Sequence, residues 1–338
     1  MSAIRHDFRS DTVTRPSAAM RAAMAAAEVG DDVYGDDPTI RRLEAVLSER
    51  VGCAAGLYVP SGTQSNLIAL MTHCGRGDEY IAGQQAHCYV NEAGGAAVLA
   101  SIQPQPIANQ KDGTIALGDI EAAIKPDDMH FARTRLLALE NTIGGKPISL
   151  DYTKDATALA HDRGLATHLD GARIFNAAIA LGVEAAEVAR GFDTVSVCLS
   201  KGLGAPVGSV LCGPKDFIER AVRNRKILGG GMRQAGIIAA AGLFALEHNV
   251  DRLAEDHALA DELAAGLSQF PALAVQPAAT NMVFVEVSGA DEEAFTAFLA
   301  DRGIAMHSRY GRQRWVTHLD VGAADVAAAL AAVAAFFA

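Results

Sequence analysis

The chain has 338 residues, half of them hydrophobic, and 40 acidic against 29 basic side chains leave a formal charge of −11. That length predicts about two domains of roughly 150 residues each, with a core large enough to fold without a disulfide or metal staple. The acidic balance argues against a general nucleic-acid binder, which presents a basic face to phosphates.

Residues 1–10 are charged and lack the apolar segment of a secretory signal. No stretch reaches the ~18–20 uninterrupted apolar residues that cross a bilayer. The five cysteines (Cys53, Cys74, Cys88, Cys198 and Cys212) are odd in number and form no Cys-x-x-Cys pair. Buried thiols in a reducing cytoplasm are therefore expected, with neither a disulfide framework nor a metal site.

In chain order the pattern predicts a helix over 61–73, a strand over 134–140 and a helix over 153–163. A strand over 165–170, a helix over 172–181 and a strand over 194–198 follow, then helices over 214–227 and 235–257. Strands without clean polar alternation, separated by helices, indicate a parallel sheet covered on both faces. Beyond about residue 250 the pattern changes to strands over 282–287 and 315–319 flanking a helix over 292–301, before an alanine-rich terminal helix over 323–338. The expected architecture is α/β: a large, mostly parallel sheet domain over 1–249 and a small α+β domain over 250–338.

In such sheets ligands bind beyond the carboxyl ends of the strands, and three polar clusters fall there. Ser61-Gly62-Thr63 opens a helix after Leu57-Tyr58-Val59-Pro60; it reads either as an ordinary cap or as a phosphate-binding helix start. No GxxxxGK[ST] is present, which disfavours a P-loop nucleotide site. Asp170 ends an apolar strand and Arg173 follows three residues later. That pair reads as a cap and its partner, or as a carboxylate aimed at a cationic ring nitrogen beside a guanidinium placed for a planar carboxylate. Lys201 sits in a turn flanked by Gly202, Gly204 and Pro206 after a buried strand, an uncommon place for a lysine unless its amine is used chemically. Together, a lysine for an aldehyde, an acid for a pyridinium and a helix start for a phosphate make the set that pyridoxal phosphate requires.

Long strings along the chain resemble the low-specificity L-threonine aldolases, within the β-eliminating-lyase-like group of pyridoxal phosphate enzymes of the aspartate-aminotransferase-like fold type I. They include FRSDTVTRPS at 8–17, VGDDVYGDDPT at 29–39, PSGTQSN at 60–66 and EAGGAAVL at 92–99. HLDGARIFNA at 168–177, SKGLGAPVGS at 200–209, GGGMRQAG at 229–236 and VTHLD at 316–320 continue the series. One departure is Ile143-Gly144-Gly145 after Glu140-Asn141-Thr142, where the family commonly has His-Asn-Gly.

The resemblance implies pyridoxal phosphate held covalently on Lys201 as an aldimine, with Asp170 at its ring nitrogen and His87 on its ring face. It places Gly62, Thr63 and Ser200 at the phosphate, with Arg233 reaching that phosphate across a subunit interface. Ser10, Arg173 and Arg314 would clamp the substrate carboxylate, His130 and His87 are candidates for the β-hydroxyl proton, and Tyr34 and Lys226 would line the site. The implied reaction is cleavage of L-threonine, L-allo-threonine and related β-hydroxy-α-amino acids to glycine and an aldehyde. Its alternatives are a phenylserine-preferring aldolase or a β-eliminating lyase. The implied assembly is a cytoplasmic homotetramer of two dimers, with no nucleic-acid or membrane partner.

Overall fold

The computed structural model describes residues 3–288, 290–309 and 312–338. After a two-residue strand, β1 (His6–Asp7), seven strands build the central sheet. They are β2 (Ala55–Val59), β3 (Asp78–Gly83), β4 (Gln103–Ile107), β5 (Arg133–Glu140), β6 (Ala166–Asp170), β7 (Thr194–Cys198) and β8 (Ser209–Gly213). Their spatial order is β2-β8-β7-β6-β5-β3-β4. The contacts from β7 through β4 are parallel, and β8 alone runs antiparallel to both its neighbours. β2 therefore runs in the same direction as β7, and the chain leaves β2, β3, β5, β6 and β7 at one edge. That edge collects all three polar clusters.

Every residue of β7 and β8 is buried, which explains why these strands show no alternation: helices cover both faces. One face carries a core of Leu43, Leu47, Leu199, Leu246 and their neighbours. The other carries Leu57, Val59, Ile68 and Phe217.

The smaller unit contains β9 (Leu273–Gln276), β10 (Met282–Val287), β11 (Ile304–Ala305), β12 (His307–Arg309) and β13 (Arg312–Val316). Four of these form an antiparallel sheet in the order β12-β13-β10-β9, while β11 pairs in parallel with β1. Phe8 lies in this second core with its ring 5.4 Å from Trp315, and Val316 N donates to Phe8 O at 2.9 Å. The first residues of the chain are thus bound to the last quarter, which carries Ser10 and Asp11 to the boundary between the two cores.

Two expected elements differ. In place of one helix over 235–257 there are two, Gly236–His248 and Leu253–Leu267. The break holds Asn249, whose buried amide donates to Leu203 O at 2.7 Å and so ties the turn to the loop carrying Lys201. The strand expected over 315–319 ends at Val316 because Thr317 and His318 turn to other partners. Thr317 Oγ1 donates to Asp256 O at 2.6 Å, and His318 Nε2 bonds Asp7 O at 2.8 Å. Among the described residues no helix is long and apolar enough to cross a membrane.

Candidate active site

Four of the strands that end at the shared edge deliver candidate residues. β6 ends on Asp170, β5 on Glu140, β7 leads into Ser200 and Lys201, and β3 is followed by His87. Asp170 is buried; its Oδ2 accepts from Asn66 Nδ2 at 2.8 Å and its Oδ1 from Ala172 N at 3.0 Å. No ion pair engages it among the described residues. A buried carboxylate served only by neutral donors is suited to a cationic partner.

Beside Asp170, His87 Nδ1 bonds Glu92 Oε1 at 2.8 Å, and Asn66 Nδ2 donates to the same Glu92 oxygen at 2.8 Å. The bond to Glu92 raises the His87 imidazole above its usual value, against burial that pulls it down. Glu140 Oε2 accepts from His87 N at 2.8 Å, which fixes the start of the short helix His87–Val90. Burial, reinforced by the Asp170 charge, pushes the Glu140 carboxyl up. The ligand-type atoms of His87, Glu92 and Asp170 lie within 4.8 Å of one another. The Asn66 amide, however, already directs N–H groups at two of them, which disfavours a cation there. Lys201 is close enough for its charge to act on Asp11, His87 and Glu140.

A second cluster lies where the two cores meet. Arg173 donates through Nε and Nη2 to Asp11 Oδ2 and Oδ1 at 2.7 and 2.6 Å. Burial works against both charges, but the pairing prevails: Asp11 is held well below the usual carboxylate range and Arg173 is raised. Arg314 reaches in from β13, donating from Nη2 to Arg9 O at 3.1 Å, while its buried Nε has no partner among the described residues. Burial and the neighbouring Arg173 charge both lower Arg314. Two adjacent guanidiniums, one with an unused buried donor, are chemically suited to a carboxylate. Ser10 caps the turn Asp11–Val13 beside them, its Oγ accepting from Thr12 N at 3.3 Å.

At the third cluster Ser61 Oγ accepts from Gln64 N at 3.1 Å and caps the helix Gly62–His73. No hydrogen bond engages Gly62 N or Thr63 N among the described residues, so both point free from the positive end of a 12-residue helix. Ser200 lies beside Cys198, with Oγ 3.4 Å from Sγ.

Several sequence-derived candidates have no hydrogen bond or ion pair to these clusters among the described residues. His130 is in a turn at the amino end of β5, 70% exposed and bonded to Asp128 at 2.6 Å. The eight residues of β5 put it roughly 25 Å from Glu140 at the other end. Arg233 is 56% exposed with Nη1 3.5 Å from Asp31, and Tyr34 and Lys226 are also exposed. Ile143 is buried against the 109–115 turn, where a Cβ on Gly113 would lie 2.4 Å from its Cγ2.

A beta-eliminating lyase family profile matches residues 7–290. A low specificity L-threonine aldolase of Escherichia coli O157:H7 is 53% identical over 332 residues, covering 98% of this chain and 99% of that protein. Low-specificity L-threonine aldolase 1 of Arabidopsis thaliana is 46% identical, over 95% of this chain and 93% of its own length. The chain belongs to the low-specificity L-threonine aldolase family. A solved threonine aldolase of Leishmania major superposes with a TM-score of 0.83 at 23% identity, covering 99% of this chain and all of that one (100%), and confirms the fold.

Members of this family depend on pyridoxal phosphate, and the aldolase-family residues present here fit it. Among the described residues Asp170 lacks a cationic partner and Gly62 and Thr63 offer unused N–H groups, and Lys201 lies on the adjoining loop. Besides Glu140, three further residues of this family member were not foreseen from its sequence: Asp11, Asn66 and Glu92. The strings FRSDTVTRPS, PSGTQSN and EAGGAAVL contain them. Only the fold shows that each bonds a candidate site residue.

Proposed function

We propose that this chain splits L-threonine, L-allo-threonine and related β-hydroxy-α-amino acids into glycine and an aldehyde. What carries the reading is the convergence of Asp170, Lys201 and the Arg173–Arg314 pair at one edge of the sheet. Lys201 anchors the cofactor through its amine, Asp170 holds a proton on the ring nitrogen, and Gly62 and Thr63 N–H groups with Ser200 receive the phosphate. Bound pyridoxal phosphate supplies the sink for the electron pair left on Cα when Cα–Cβ breaks. Arg173 and Arg314, with Ser10, would grip the substrate carboxylate and so fix the orientation of the bonds at Cα. His87 takes the β-hydroxyl proton, and a correctly placed base of this kind contributes about 10²–10⁴-fold.

The test is product analysis with L-threonine, L-allo-threonine and phenylserine side by side. Glycine with the matching aldehyde is expected. Ammonia with an α-keto acid would overturn the reading in favour of β-elimination.

The same reading includes a homotetramer of two dimers with sites shared between copies. Exposed apolar side chains support burial against another copy: Val98 is 75%, Leu99 60% and Met129 93% exposed. Arg233, whose side chain has only a long contact to Asp31 among the described residues, would reach a neighbour's phosphate. His130, remote from its own site, would act in another copy's. The five unpaired cysteines, with burial pushing Cys53 to about 11 and Cys74 to about 12, support a reducing, cytoplasmic setting.

A further inference from the structure

Behind Asp170 a line of buried and part-buried polar side chains runs along one face of the sheet to the far end of the helix Gly62–His73. Asn66 Nδ2 donates to Asp170 Oδ2 and to Glu92 Oε1, both at 2.8 Å. Its Oδ1 lies 3.2 Å from His168 Nε2. His168 Nδ1 is 2.9 Å from Thr194 Oγ1, and the same hydroxyl is 2.8 Å from His73 Nε2. Local geometry explains the alignment. Asn66 and His73 are about two turns apart on one helix face. His168 and Asp170 are two apart on β6, on one sheet face, and Thr194 pairs with His168 across to β7.

The direction of every hydrogen in this line follows from its carboxylate end. An amide nitrogen has two hydrogens and no free lone pair. Facing two carboxylates, Asn66 must present its nitrogen; turned over, it would set its oxygen against two acceptors. Asn66 Oδ1 is then an acceptor, so His168 donates through Nε2. Burial lowers His168 to about 4 and His73 to about 3, so both rings are neutral. A neutral His168 that donates from Nε2 accepts at Nδ1, so the Thr194 hydroxyl donates to it. The Thr194 oxygen is thereby left to accept from His73 Nε2–H. All the hydrogens point one way, toward Asp170 and Glu92.

We infer that Asn66 is a positioning residue, locked by the one-way chain His73–Thr194–His168 so that Asp170 and Glu92 stay acceptors for the cofactor ring nitrogen and His87. The chain has no catalytic contact of its own. It removes the alternative in which the Asn66 amide turns over and both carboxylates lose a donor in a buried setting. This inference rests on Asp170 facing the ring nitrogen, as set out under Proposed function.

The test combines histidine ring ¹⁵N NMR of the cofactor-free protein with the dissociation constant of pyridoxal phosphate. His168 and His73 should both be Nε2–H tautomers; an Nδ1–H tautomer at His168 overturns the chain outright, whatever the variants do. Thr194→Val preserves shape and removes the hydroxyl, and should weaken cofactor binding roughly three- to tenfold, the scale of one hydrogen bond. Thr194→Ser keeps the hydroxyl and should bind nearly as wild type. Packing alone predicts the reverse ranking, with serine the worse variant, and that ranking would refute a positioning role. Asp170→Asn separates the two layers. If it binds the cofactor as tightly as wild type, the parent assignment of Asp170 fails. If Asp170→Asn weakens binding while Thr194→Val does not, the chain alone fails.

Discussion

Asp11 accepts two bonds from one edge of the Arg173 guanidinium, at 2.6 and 2.7 Å, with a longer third from Asn281 Nδ2 at 3.4 Å, and is itself fully buried. The pair joins the segment that follows β1 to the turn that follows β6. It fixes the Arg173 guanidinium close enough to Arg314 for the two charges to act on each other. Asp11→Ala should cost about 3–5 kcal/mol of stability, because it strands a buried charge. Asp11→Asn keeps the shape and should raise KM for threonine more than it lowers kcat. Thermal unfolding and steady-state kinetics check both. An unchanged KM in Asp11→Asn would show that Arg173 needs no such orientation.

Lys201 can be removed without disturbing its loop. Its carbonyl, not its amine, holds the loop, accepting from Thr14 Oγ1 at 3.1 Å and from Gly204 N at 2.8 Å. Lys201→Ala should therefore fold normally, lose the visible absorbance of the resting protein and lose nearly all aldol cleavage. Intact activity in this variant would mean that another amine holds the cofactor.

The candidates legible in the sequence were those whose local pattern already implied their place. Asp170 and Lys201 follow apolar strands, and Gly62 and Thr63 open a helix, so the rule that ligands lie beyond strand ends located all four. The strands over 194–198 and 282–287 and the helix over 292–301 recur with the expected bounds. Asp11, Asn66 and Glu92 carried no such signal, since their roles arise when remote segments close. Asp11 and Arg173 are 162 positions apart, Asn66 and Asp170 104. The broken helix at Asn249 had the same cause, a tertiary bond to Leu203 overriding a continuous helical pattern. His130 shows the converse: a motif can be recognised while one chain gives it no neighbours at the site.

Acid should test the buried histidines directly. Burial depresses His168 to about 4 in the folded protein, whereas an unfolded histidine titrates near 6.5. Between those values the unfolded chain binds the extra proton, so stability is full above about pH 6.5 and falls as pH drops toward 4. Raised carboxyls such as Glu44 and Glu140 oppose this trend, because their folded forms take up protons first. The clean comparison is therefore between wild type and His168→Gln. The variant should lose less stability over this range, by on the order of 2 kcal/mol. Parallel pH profiles in urea titrations would mean that His168 is charged in the folded state.

Shared sites make a prediction that single variants cannot. Lys201→Ala removes the anchor from a subunit's own site, and Arg233→Ala removes the phosphate contact from its neighbour's. If Arg233 serves across an interface, a mixed oligomer contains one site with both substitutions and one with neither. Co-refolding two poorly active variants should then restore activity above either alone, and the recovered sites should show the wild-type affinity for pyridoxal phosphate. If Arg233 instead serves its own chain, every site in the mixture keeps a defect and no recovery occurs. The exposure of Arg233, 56% with a side-chain contact only to Asp31 at 3.5 Å among the described residues, favours the first outcome. A guanidinium held that loosely within its own chain is free to serve another.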